Sequence, residues 1–482
     1  MINYRIIARV FSILLIFEGL MMLLSAAISL IFQEHTAGAF LYSAVITIIT
    51  GVIVFTPLRS VEKVYGNREG YIIVAGIWVI YTLFGTLPFL FSGTIKNFTD
   101  AFFESMSGFT TTGATILTDI DSLPKAILFW RSLTQWVGGM GIIFLSLYVL
   151  PVFRDINIQL STTEFSGQQS DKIHPRAVDA AKRMIGIYIV LTAAEMLLLI
   201  IAGMPVFDSV CHSFSTLSTG GFSTHDNSMA AFSTPGIKII MTIFMFLAGT
   251  NMTIIYFGVK GEFKKILENN EFIFYTIISL VFCILAAVVL FRNGNFHFTG
   301  SVINGSFHVI SIITSTGFYT NHYGLWGDFM VLILFILMFT GGMTGSPSGG
   351  IKVVRLLIMT RNNRMELRRL IHPDAYLPVR INRKIIQQNL VYNILVFVTL
   401  YFLIICISSL IISFMGYDII TSFSTAAAMV GNIGPGLGSF GPYSNYSVLP
   451  VAGKWFMSLL MLLGRLELIA VLILFSRSFY RN

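Results

Sequence analysis

Four segments of this 482-residue chain carry the same unusual chemistry, a short apolar stretch that ends in small hydroxyl residues and glycine. They end in Thr111-Thr112-Gly113, Ser218-Thr219-Gly220, Ser315-Thr316-Gly317 and Asn432-Ile433-Gly434, and recur at a period of roughly 100 residues. A stretch of about ten apolar residues is too short to cross a bilayer and reads as re-entrant, leaving by the side it entered. The exit is then irregular backbone, which survives at membrane depth only when buried in protein or lining a water-filled path. Glycine admits positive φ, so carbonyls that would otherwise alternate can point the same way. Four such exits around one axis would form rings of oxygens able to replace the hydration shell of a large monovalent cation. The short helix before each exit would aim its negative end at the same point, which favours cations and disfavours anions. A lone Ser-Thr-Gly is more simply a helix-packing device. Four copies in register are not.

Two further features fit such a path. The run Thr340 to Ile351 contains Gly341, Gly342, Gly345, Gly349, Gly350 and Pro347, which cannot continue a helix. It is a candidate gate below the third filter segment, or else a cytoplasmic turn, since Lys352 follows. Arg465 lies in the last apolar helix, where a charge must face an interior or an aqueous path. It either lines the pore opposite the glycine run or pairs with a carboxylate on another helix; Glu467, two residues on, does not face it. His212, His308, Glu104 and Asp418 lie in or beside the short segments, as proton-coupling groups or as struts holding them. Glu18 and Glu195 in other helices stay ambiguous. No metal cluster, phosphate loop or nucleophile and base pair is present in the sequence, so no enzyme and no organic cofactor is expected. Cys211, Cys283 and Cys406 read as buried thiols.

The elements that must position these residues are membrane helices. Hydrophobic residues make up 55% of the chain and charged residues 11%, with a formal charge of +8, and the mean hydropathy is +0.79. Too little polar surface remains for a water-soluble globule, and the basic excess is too dispersed for a nucleic-acid face. About ten runs are long enough to span: Ile6 to Phe32, Ala39 to Phe55, Tyr71 to Phe91, Ala126 to Leu150, Met184 to Ala202, Ile239 to Phe257, Phe272 to Phe291, Phe329 to Thr340 with a broken continuation, Leu390 to Met415 and Trp455 to Phe475. The first is too long for a cleavable signal. With Arg5 and Arg9 inside, successive crossings put Arg59, Lys63 and Arg68, then Arg154, Lys172, Arg176, Lys182 and Arg183, then Lys260, Lys264 and Lys265, then Lys352 through Lys384, and finally Arg477 and Arg481 on the same cytoplasmic side. Only isolated cations, Lys96, Lys125, Lys238, Arg292 and Lys454, fall outside.

The expected fold is an all-α integral membrane protein, with four helix–pore loop–helix repeats around a central pore plus two N-terminal transmembrane helices. The expected divisions are 1–70 for the N-terminal pair, 71–160, 161–265 and 266–384 for the first three repeats, and 385–482 for the fourth. The motifs ending in Gly113, Gly220, Gly317 and Gly434, the glycine run and Arg465 together resemble the superfamily of Trk, Ktr and HKT potassium transporters. The resemblance covers nearly the whole chain, and the two extra N-terminal helices favour the Trk branch. It implies potassium as the transported ion, filter roles for the four triplets, and gating roles for the glycine run and Arg465. It also implies an inner-membrane homodimer controlled by a cytoplasmic TrkA-like nucleotide-binding subunit, for which Ser161 to Lys182 and Lys352 to Lys384 would be docking segments. No repeat has the full Thr-Val-Gly-Tyr-Gly of a potassium channel. A secondary transporter of another cation or solute is the alternative, but it would show inverted repeats and a midplane site, whereas these share one orientation. A purely structural assembly subunit would have no use for the repetition.

Overall fold

The computed structural model describes residues 2–60, 66–148, 173–375 and 377–480. Lys63, Arg154, Lys172, Arg481, most of the segment Ser161 to Lys182 and the expected division at residues 160 and 161 lie outside the described residues.

The described chain is mostly helical, with one two-stranded hairpin, Arg380–Ile381 against Lys384–Ile385. Two N-terminal helices, α1 (Tyr4–Ile31) and α2 (Ala37–Leu58), pack as an antiparallel pair. Asn3 starts α1 by accepting from the Arg5 N–H at 3.2 Å. Each repeat then supplies an outer helix, a short pore helix and an inner helix. The pore helices are Phe98–Phe109, Val206–Leu217, Phe298–Ile313 and Ile419–Val430, between 12 and 16 residues long and too short to span. They are the re-entrant elements expected from the sequence. Asn97 and Asp418 cap the first and fourth, accepting from Thr99 N–H at 3.0 Å and Thr421 N–H at 3.2 Å.

Among the described residues six helices are long and apolar enough to cross a membrane: Tyr4–Ile31, Ala37–Leu58, Arg68–Phe91, Lys182–Ile201, Asn270–Arg292 and Gln388–Phe414. These are the N-terminal pair and the four outer helices. Their far sides leave large apolar residues uncovered, among them Val190, Leu280, Phe402 and Leu410, which is the surface lipid would cover. The inner helices behave differently. The first, Lys125–Tyr148, is continuous, but the other three are interrupted, where the sequence suggested a break only in the third. The run read as one span, Ile239 to Phe257, is two helices, Pro235–Ala248 and Met252–Val259, meeting at 111°. Asn251 turns the corner, capping the second piece through Thr253 N–H at 2.8 Å. The last inner helix, Val451–Arg465, stops at Arg465, after which Glu467 and Leu468 take positive φ. In the third repeat, Asp328–Leu337 gives way to the glycine run, and Val353–Ile371 resumes as a polar helix.

Candidate functional site

Every pore helix ends the same way. In the first repeat the Thr110, Thr111 and Thr112 N–H groups donate to Met106, Gly108 and Ser107 carbonyls. Ser218, Thr219 and Gly220 repeat that pattern on Phe214, Thr216 and Ser215; Thr314, Ser315 and Thr316 on Ile310, Ile312 and Ser311; Gly431, Asn432 and Ile433 on Ala427, Met429 and Ala428. The second residue of each set is left-handed, at φ 52, 55, 55 and 51 for Thr111, Thr219, Ser315 and Asn432. Such wrapped termini satisfy the last helix carbonyls and turn the chain. Two residues on come Gly113, Gly221, Gly317 and Gly434, all with positive φ.

This register corrects one expectation. Counted along the sequence, the second triplet was Ser218-Thr219-Gly220; in the structure the equivalent of Thr111-Thr112-Gly113 is Thr219-Gly220-Gly221. Ser218 occupies the place of Thr110 and caps the pore helix. Two adjacent glycines hid the one-residue slip. The other three triplets share one register.

The four turns close on one another. A Cβ on Gly113 would lie 2.2 Å from the Gly220 carbonyl oxygen, one on Gly221 1.9 Å from that of Thr316, one on Gly317 1.9 Å from that of Ile433, and one on Gly434 2.6 Å from that of Thr112. Each turn glycine therefore faces the carbonyl just before the next turn, and the circuit returns to its start. All four glycines line one cavity of about 280 Å³, with Arg131, His225 and Tyr319 among its walls. Four helix C-termini meet at this circuit beside a partly polar cavity, and the partial negative charge of such ends would favour a cation over an anion there.

Side chains brace the ring. Asn432 Nδ2 donates to Thr112 Oγ1 at 2.8 Å and to the Met461 carbonyl at 2.9 Å, joining the fourth pore-helix exit to the first. His212 uses both ring nitrogens, on the Asp208 carbonyl at 2.8 Å and on Ser223 Oγ at 3.0 Å. His308 contacts the Asn304 carbonyl at 2.9 Å and accepts from Thr320 N–H at 3.3 Å. Both histidines thus strap a pore helix to its own exit. Glu104 pairs with Arg131 at 2.9 Å and accepts from Ile116 N–H at 3.0 Å. Arg131 and Gln135 go unremarked in the sequence reading, although a charge inside an apolar helix is the signal that singles out Arg465.

The glycine run is not a cytoplasmic turn. Its ends are tied, Gly341 N–H to the Ile351 carbonyl at 2.8 Å, and Met343, Ser346 and Ser348 are buried. Gly349 N–H donates to Ser315 Oγ at 2.6 Å, so the loop touches the third pore-helix exit directly. A Cβ on Gly349 would sit 2.1 Å from the Gly431 carbonyl oxygen, at the end of the fourth pore helix. Lys352, the first residue of the stretch expected on the cytoplasmic side, is buried and donates to the Ser346 and Ser348 carbonyls. Met343 N–H donates to the Gly249 carbonyl at 2.8 Å, and Asn251 Nδ2 to the Thr344 carbonyl at 2.6 Å, so the bent second inner helix grips the loop. Arg465 comes from the other side. It is buried, Nη1 donating to the Pro347 carbonyl at 2.5 Å and Nη2 to the Gly138 carbonyl at 2.9 Å. Among the described residues Arg465 has no carboxylate partner, its hydrogen bonds running to these two carbonyls, while Glu467 pairs with Arg355.

Fold and ring define the class, a polytopic all-α membrane transport protein whose four repeats converge on one axis. The chain belongs to the TrkH family of cation transport proteins, whose family model matches residues 38–288 and 266–480. It is 36% identical over 484 residues to the Trk system potassium uptake protein TrkH of Salmonella typhimurium (strain LT2), covering 100% of both chains. It is 33% identical over 483 residues to the Trk system potassium uptake protein TrkG of Escherichia coli (strain K12), covering 100% of this chain and 99% of the other. The crystal structure of the potassium transporter TrkH from Vibrio parahaemolyticus superposes with a TM-score of 0.90 at 32% identity, over 100% of each chain.

Proposed function

We propose that this protein carries potassium into the cell through the ring formed by Thr111-Thr112-Gly113, Thr219-Gly220-Gly221, Ser315-Thr316-Gly317 and Asn432-Ile433-Gly434. The observation that supports this reading is the closed circuit in which each turn glycine meets the carbonyl just before the next turn. Relatives that cover the whole chain are potassium uptake proteins by name. The path is gated by the loop from Gly341 to Gly350 with Arg465, which holds the loop to the inner helix of the first repeat through two backbone carbonyls. A charged guanidinium fixed against the path repels a passing cation until the loop moves. The site lies in the inner membrane with the N-terminus cytoplasmic, following the distribution of basic residues. The protein acts as a homodimer under a cytoplasmic TrkA-like nucleotide-binding subunit. The exposed basic surface of the third repeat, including Arg364 and Arg368, suits that docking. Potassium is the transported ion and no bound organic cofactor takes part.

Expression in a bacterial host stripped of its own potassium uptake tests the reading. Growth on limiting potassium should be restored by the wild-type chain and lost with Gly113→Asp, which puts a side chain into the Gly220 carbonyl. Equal growth with both would remove the ring from the transport path.

A further inference from the structure

Gln135 lies on the inner helix of the first repeat and is fully buried, yet its amide serves the second repeat. Nε2 donates to the Gly220 carbonyl at 2.7 Å, and Oε1 accepts from Phe222 N–H at 3.1 Å. Only one orientation of the amide does both, since flipping it would set oxygen against oxygen and N–H against N–H. These two backbone groups flank Gly221, the turn glycine. The Gly220 oxygen is also the ring oxygen that faces Gly113. Where the other repeats place the side chains of Thr112, Thr316 and Ile433, the second has none. A Cβ on Gly220 would lie 2.4 Å from Gln135 Cδ, so the amide fills that place itself. One turn earlier on the same helix, Arg131 Nη1 donates to the Ser223 carbonyl at 3.1 Å and extends the grip along the exit strand.

The inner helices of the second and fourth repeats offer nothing similar at this position. Gly138 and Gly464 each abut the last carbonyl of their own pore helix, Phe109 at 2.0 Å and Val430 at 2.1 Å, which makes Met461 the equivalent of Gln135. Gly139 and Gly249 each abut the residue capping the next pore helix, Ser218 and Thr314, which makes Met245 another equivalent. Both are methionine.

We infer that Gln135 is a positioning residue that sets the ring's discrimination among monovalent cations by holding the Gly220 carbonyl and fixing the strand on both sides of Gly221. A carbonyl shared with an amide N–H offers a weaker field to an ion. A ring of weaker and firmly spaced oxygens favours a large, loosely hydrated cation over a small one. Freed of the amide, the second segment relaxes and the ring adapts to smaller ions. This inference rests on the proposed cation path.

The test uses the full chain in liposomes, measuring potassium, rubidium, sodium and lithium flux for wild type, Gln135→Met and Gln135→Glu. Methionine reproduces the equivalent positions at similar volume and removes both hydrogen bonds. Glutamate keeps the acceptor for Phe222 N–H but turns an oxygen on the Gly220 carbonyl. The sodium-to-potassium flux ratio should rise about tenfold in each, the effect of one buried hydrogen bond, while potassium flux stays within a few fold of wild type. A merely structural role would lower all four fluxes together and leave their ratios unchanged, and that result overturns the inference. If wild type conducts no cation, the proposed path itself fails. If both variants are absent from the membrane, Gln135 serves the packing of its helix and the inference falls as well.

Discussion

Gly220 and Gly221 are neighbours in sequence but meet different surroundings. Gly221 has φ +78, and a Cβ there would strike the Thr316 backbone oxygen at 1.9 Å. At Gly220 the collision is with the end of the Gln135 side chain, which can swing away. A left-handed alanine costs about 1–2 kcal/mol before any clash. Gly221→Ala should therefore abolish potassium flux in reconstituted protein, and Gly220→Ala should reduce it several-fold at most; the reverse order would return the register to the one read from sequence. A second prediction concerns His225 in the vestibule wall. The Asp208 carboxylate first, and Asp121 second, raise its pKa from 6.5 to about 9, with Nδ1 2.6 Å from Asp121 Oδ1. A raised folded pKa stabilises the fold fully below the unfolded value and ceases to do so as pH rises through about 9. The thermal midpoint should fall over that alkaline interval, and His225→Gln should remove that part of the fall. A midpoint falling equally in the variant would show that other groups cause it. At this scale the turns proposed as the filter, and Arg465, stood out in the sequence because glycine, hydroxyl and intramembrane charge are rare local signals. The second register was not, because Ser-Thr-Gly and Thr-Gly-Gly overlap and only the carbonyl pattern distinguishes them.

Among the elements, the inner helices show where hydropathy misleads. Ile239 to Phe257 averages as a span because three residues, Gly249-Thr250-Asn251, are diluted by apolar neighbours. The break is made by one polar side chain, Asn251, which caps the new helix and holds Thr344 of the glycine loop. Asn251→Ala should lower stability by about 1–2 kcal/mol, as a lost N-cap does, seen as a lower midpoint in detergent. It should also raise cation flux, since the loop loses a tether. A lower midpoint with unchanged flux would mean that this tether does not restrain the proposed gating loop. The fourth inner helix ends at Arg465 for a related reason: its guanidinium is spent on carbonyls of the loop and of the first repeat, and the chain turns at Glu467 to reach Arg355. No periodicity in the sequence carries that information, because the partners lie more than 100 residues away.

For the whole molecule, the seam that matters joins the ends of the chain. The fourth repeat meets the first through Asn432 and Thr112, through Tyr446 N–H and the Thr115 carbonyl at 2.8 Å, and through Lys454 Nζ and Asp100 Oδ1 at 2.6 Å. Lys454 was expected as an isolated outer charge, yet it is buried and pairs across this seam. Lys454→Ala leaves Asp100 without its partner and should cost about 1–3 kcal/mol, between the values for exposed and buried pairs. Asp100→Asn combined with it should cost little more than either alone; strict additivity in thermal unfolding would show that the pair does not couple the two repeats. The architecture of four repeats was legible because the same composition recurs; the closure into one ring was not, because it depends on contacts between segments more than 300 residues apart.

The four turns are proposed to form one path for potassium. Cation flux into liposomes holding the purified chain tests it most directly, comparing potassium, rubidium, sodium and lithium for wild type beside Gly221→Ala and Arg465→Ala. Potassium and rubidium should pass well ahead of sodium and lithium, Gly221→Ala should erase that order or the flux itself, and Arg465→Ala should raise potassium flux by about tenfold as its two hydrogen bonds to the loop and first repeat are lost. An order of ions indifferent to Gly221, or no flux of any cation under an imposed potential, would contradict the account.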